Sequence, residues 1–184
     1  MKTETIQDYI LKNVNNLQIA ATVGEAWPEA RDRLVSDFLA RLDSRLKKKL
    51  KGWEIGPYGG RFFLEAYPGY YLTKNGWEHH SIGFQCGEYG DRMIIGVSRD
   101  TDDTKKVPLH EQVLTAVQKI LPSAKSRSWW EAWVTMRSPA PDWRKPEALW
   151  RMHKDTAFLT DVADQLLEIV EVSEPIIDRL VRKK

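Results

Sequence analysis

A chain of 184 residues with 42% apolar and 29% charged side chains has the profile of a water-soluble globular protein, long enough to bury a core without staples. Its net charge of +2 is too small to imply nucleic acid or membrane by itself, and no apolar run approaches the roughly 18 residues of a membrane span. A single cysteine, Cys86, excludes an intramolecular disulfide; with a polar segment from Met1 to Asp8, it points to the cytoplasm.

Taken in order, Ile6, Tyr9, Ile10, Val14 and Leu17 recur at helical spacing and predict a short amphipathic helix that Gly24 ends. Pro28 fits the first turn of the next helix, and Glu25 and Glu29 suit its positive end. Trp27, Ala30, Leu34, Phe38, Leu42, Leu46 and Leu50 form its apolar stripe, and Gly52 stops it. The chain therefore divides into a helical segment, residues 1–27, and a single α+β domain, residues 28–184.

From Trp53 to Ser98 the pattern is a β-meander. Gly56-Pro57-Tyr58-Gly59-Gly60 reads as a turn, Phe62 to Tyr67 as an extra strand, and Tyr70 to Lys74 as a strand ending in Asn75-Gly76. That dipeptide predicts a type I′ hairpin, because both residues tolerate positive φ. The next strand runs from Trp77 to about Cys86, and Met93 to Val97 is the third of the meander. Pro108 opens a helix with Val113, Ala116, Val117 and Ile120 on one face; Ser123 to Ser128 is a polar linker. Trp129 to Met136 is β-prone, Pro146 starts a short helix, and Asp155 caps the last long one, which Pro175 kinks or restarts. The expected architecture is α+β: an antiparallel sheet of about four to five strands covered by long amphipathic helices.

No catalytic constellation stands out. His79, His80, Cys86, His110 and His153 are metal-ligand types. Adjacent histidines on a strand point to opposite faces, however, and no pair has the spacing of a helix-borne motif, so neither metal nor cofactor is expected. There is no phosphate-binding glycine loop and no Gly-x-Ser-x-Gly elbow. Asp91 with Asp103-Thr104-Lys105 has the residue types of a metal-dependent nuclease core, but in a polar run after a strand rather than within one. Arg41, Arg45, Lys47, Lys48 and Lys49 are candidate phosphate contacts, against the plainer reading of a solvated helix end. Five of the eight tryptophans fall between Trp129 and Trp150. Trp130 must face away from Trp129 and Trp133 on a strand, and Trp143 follows two prolines, so one of Trp130 and Trp143 is expected to be exposed as a partner-binding anchor.

Gly52-Trp53, Pro68-Gly69-Tyr70-Tyr71-Leu72, Trp77, Ile82-Gly83-Phe84, Ile95-Gly96-Val97, Ser128-Trp129-Trp130-Glu131-Ala132-Trp133 and Asp142-Trp143 occur in an order that resembles the C-terminal portion of bacterial and phage proteins of the PD-(D/E)XK nuclease superfamily. The resemblance covers about residues 34 to 172 and rests on aromatic and structural positions. The nuclease core of those proteins lies N-terminal to this portion and has no counterpart upstream of Arg33, so no catalytic residue carries over. The resemblance implies the fold and a link to nucleic acid or to phage–host defence systems. The expected function is thus a non-catalytic protein-interaction module. A nucleic-acid-binding accessory and a divergent nuclease using Asp91, Asp103 and Lys105 are the alternatives.

Overall fold

The computed structural model describes residues 5–59, 62, 67–87, 92–99, 109–136 and 139–182. Its elements are α1 (Ile6–Ile10), α2 (Val14–Lys49), β1 (Trp53–Tyr58), β2 (Gly69–Lys74), β3 (His80–Cys86), β4 (Met93–Arg99), α3 (Glu111–Ile120), β5 (Lys125–Arg127), β6 (Trp130–Thr135), α4 (Pro146–Lys154) and α5 (Thr156–Val181). The six strands form one antiparallel sheet in the order β1-β2-β3-β4-β6-β5, slightly larger than the sequence pattern suggests. The class is α+β.

Alternation decides the buried face. His80, Ile82, Phe84 and Cys86 of β3 are buried, while Ser81 and Gln85 are only partly so. Tyr70 and Leu72 from β2 and Met93, Ile95 and Val97 from β4 extend that face. Two helices pack on it. Val35, Phe38, Leu42 and Leu46 supply the stripe of α2, and Phe158, Val162, Leu166 and Ile169 that of α5. Asp155 caps α5 as its sequence suggests, accepting a hydrogen bond from the Ala157 amide. Pro175 neither stops nor restarts that helix, which continues to Val181.

Four local expectations are corrected. Helix α2 is continuous from Val14 to Lys49, with Pro28 inside it. Proline removes the hydrogen bond to the carbonyl four residues back and crowds that carbonyl. Here residue i−4 is Gly24, so the two punctuation signals occupy one turn of one helix instead of separating two. Residues Gly56 to Tyr58 belong to β1 rather than to a turn, and Pro57 is accommodated because β1 is an edge strand. The β2–β3 connection is not a type I′ turn. Gly76 has φ 89°, Asn75 stays out of the positive-φ region, and the Trp77 amide donates to the Lys74 carbonyl, as in a type II turn. Strand β3 consequently starts at His80 rather than Trp77. Finally, Lys125–Arg127 pairs with β6 as a short edge strand instead of a linker. The expected strand from Phe62 to Tyr67, the Pro108 helix start, and Asp91, Asp103 and Lys105 fall wholly or mainly outside the described residues.

Candidate functional site

The tryptophans do not lie where strand alternation and loop position put them. Trp143 is fully buried and Trp130 is 4% exposed, which overturns the expectation that one of them stands free. The loop carrying Trp143 lies over the core instead of projecting from it. Its indole is stacked on Phe62, meets Phe38 edge-on, and lies 5.2 Å from Phe84 and 5.9 Å from Phe158 between ring centroids. The indole N–H donates to the Ala140 carbonyl within the same loop, so the ring is buried with its one polar atom satisfied. Within the cluster from Trp129 to Trp150, the exposed indoles are Trp129 and Trp150, at 56% and 64%.

The basic residues at the end of α2 are largely committed to the chain itself. Arg41 donates to the backbone carbonyl of Met152, Lys47 pairs with Asp43 at 2.8 Å, and Arg45 lies 4.0 Å from Asp164. Lys48 and Lys49 are exposed in the last turn, where cations complement the helix dipole.

Two other features emerge from the tertiary structure. The first is an apolar helical arm. No residue from Leu11 to Leu34 is buried, and the first buried residue of α2 is Val35. About 30 Å of helix, at 1.5 Å per residue, thus extends beyond the core. Val14, Leu17, Ile19, Val23 and Trp27 remain 39–65% exposed along it. Helix α1, fixed by a Thr5–Asp8 capping box, joins it through a hydrogen bond from the Asn16 side chain to the Tyr9 carbonyl. Tyr9, Ile10, Ile19, Ala20, Val23 and Trp27 line a shallow groove between the two helices, with Asn16 and Gly24. None of these lining residues is charged.

The second feature is a buried cluster of His80, His110 and Glu131, drawn from β3, the N-cap position of α3 and β6. Its placement follows from a β-bulge. Val97 pairs with Ala132 and Ser98 with Trp130, so Glu131 is the extra residue in β6; the β5–β6 register shifts at the same place. A bulge breaks the alternation of side chains and re-aims one of them. Trp130, Glu131 and Ala132 are accordingly three consecutive buried residues. Glu131 turns to the helix-covered side, where it meets His80.

The Glu131 side chain has no exposed surface, and the His80 and His110 side chains are 6% and 20% exposed. His80 Nε2 lies 3.3 Å and His110 Nδ1 2.9 Å from Glu131 Oε1, and the His110 backbone N–H donates to Oε2 at 2.7 Å. Burial pushes the Glu131 carboxyl up in pKa. Hydrogen bonds from His80 and from the backbone and ring of His110, with the charge of His110, outweigh that and hold it below its ordinary value. One carboxylate oxygen, Oε1, thus faces a nitrogen of each imidazole, while Oε2 accepts from the His110 backbone. Of His79, His80, Cys86, His110 and His153, only His80 and His110 come together. Cys86 lies against Met93 Sδ, and His153 lies beside Trp150. Glu131 had no sequence signal, because its position depends on the bulge.

No family model matches this chain, and neither the curated proteins nor the solved structures contain a match to it. Among the described residues, no helix is long and apolar enough to cross a membrane.

Proposed function

We propose that this chain is a non-catalytic protein-interaction module that docks through its N-terminal arm onto the same arm of a second copy. The observation that carries this reading is the solvent-exposed apolar face formed by Ile19, Val23 and Trp27, on a helix whose other half packs on the core. Contiguous apolar surface of this kind on a water-soluble chain marks an interaction site.

A second copy is the occupant that the charge pattern favours. A twofold interface sets each residue against copies of its neighbours, so a charged face would meet its own sign. Val14 to Gly24 holds no charged residue, and self-pairing there brings no like charges together. Ala20 and Gly24, one turn apart on the groove, allow a partner helix to approach closely. Gly24 has open space where a side chain would stand, so nothing inside the protomer requires a glycine for room.

The committed state of Arg41, Arg45 and Lys47 weighs against the nucleic-acid reading. The resemblance to the C-terminal portion of PD-(D/E)XK superfamily proteins supports action in a phage–host defence or anti-defence context, and the single cysteine supports the cytoplasm. Analytical ultracentrifugation of the purified chain tests the proposal. The expected result is a dimer that Ile19→Asp with Val23→Asp converts to a folded monomer. A wild-type monomer at all concentrations up to about 100 µM, equivalent to a dimerisation free energy weaker than roughly −5.5 kcal/mol, overturns it.

A further inference from the structure

We infer that His80, His110 and Glu131 form a binding site for a divalent transition-metal ion of the zinc type. Three observations on the cluster converge on this. The first is its donor set, two imidazoles and one carboxylate, which is that of three-ligand zinc sites and of facial-triad iron sites. The second is spacing. Ligands at about 2.0–2.1 Å around a tetrahedral ion stand roughly 3.3–3.4 Å apart. The imidazole nitrogens lie 3.3 and 2.9 Å from Oε1, and all three ligand atoms fall within 4.8 Å of one another.

The third observation is charge. Glu131 is a fully buried carboxylate whose ion-pair partners among the described residues are these two imidazoles. A buried charge must be compensated. Both rings direct a nitrogen at the single oxygen Oε1, and one ion would sit among these three atoms. Each ring then keeps its proton on its far nitrogen. The positive end of α3 opposes a cation here; the unscreened charge of Glu131 offsets it. The partial exposure of His110 provides the way in.

The site rests on no feature of the arm, so it stands or falls independently of self-association. The test uses Zn²⁺ alone, added to chelator-treated full-length protein and followed by calorimetry and thermal melting. The expected result is one ion per chain, a Kd of about 1 µM or tighter, and a raised Tm. His110→Ala should weaken binding about tenfold or more, while His153→Ala leaves it unchanged. Absence of binding overturns the inference, as does binding that His110→Ala and Glu131→Gln both leave unaltered. Should those variants fail to fold, Co²⁺ in the wild-type protein decides. An intense visible band of low-coordinate, nitrogen-ligated cobalt supports the site, and the weak spectrum of the hydrated ion overturns it.

Discussion

The indole N–H of Trp77 donates to Asp178 Oδ1 over 2.9 Å and so ties the β2–β3 turn to the final turn of α5. Lys74, at the end of β2, donates to the other Asp178 oxygen at 2.7 Å and to Glu174 at 2.8 Å. The contact spans about a hundred residues of sequence and closes the far end of the sheet under the last helix. Asp178→Ala removes the acceptor from two donors and leaves a nearly buried indole N–H unpaired. A loss of about 2 kcal/mol in urea unfolding is expected, in the range for hydrogen bonds to charged groups. Trp77→Phe, which keeps the ring's bulk, should cost less.

The same cluster sets a pH dependence. Burial pushes the Asp178 carboxyl up. The hydrogen bonds from Lys74 and Trp77 and the charges of Lys74 and Arg182 more than offset this, leaving it below its ordinary value. Its contribution is therefore present above the unfolded-state value of about 4 and is lost as pH falls through the lower folded value. Lys74 is held above its ordinary value by its bonds to Asp178 and Glu174. Its contribution is present below the unfolded-state value of about 10.4 and is lost as pH rises through the folded one. Comparing wild type with Asp178→Asn across pH should show a difference that is flat between these limits and shrinks beyond both. A difference that peaked near neutrality would contradict this assignment.

Trp143 is the centre of the aromatic core. Its replacement by alanine should cost about 3–5 kcal/mol, the range for deleting a buried large aromatic, and broaden or abolish the cooperative melt. Trp150→Ala, on the exposed face of α4, should leave stability within about 0.5 kcal/mol. Near-ultraviolet circular dichroism with thermal melts distinguishes the two.

Gly96 and Gly83 face each other across β3 and β4. A methyl group at Gly96 would lie 2.0 Å from the Ala132 carbonyl oxygen, and one at Gly83 2.1 Å from that of Tyr70. Both obstacles are backbone, which cannot swing aside. Gly96→Ala should therefore destabilise by about 1–3 kcal/mol, through displacement of β6.

Gly24→Ala should have the opposite sign. Nothing lies within 4 Å of its missing side chain, and the residue is helical, so alanine should raise helix stability by up to about 1 kcal/mol. If the Ala20–Gly24 groove receives a second arm, the same substitution should weaken the dimer. Melting at low concentration and sedimentation at high concentration read the two effects separately.

Local, periodic information determined much of this protein. The stripe Phe38, Leu42, Leu46 places α2 on the core, Asp155 starts α5, and Tyr70 to Val97 forms a meander, because these features depend on neighbours within a turn or a hairpin. Tertiary structure decided the rest. Pro28 and Gly24 look like two helix boundaries in one dimension, yet they sit within a single helix. Trp143 follows two prolines and looks presented, but the ring cluster of Phe38, Phe62, Phe84 and Phe158 takes it in. Glu131 is one acid among many until a bulge in β6 turns it inward. His80, His110 and Glu131 share no sequence spacing, because three separate elements bring them together. Periodicity records which face of an element is apolar. It does not record a register shift, and here that shift brings a carboxylate to two imidazoles.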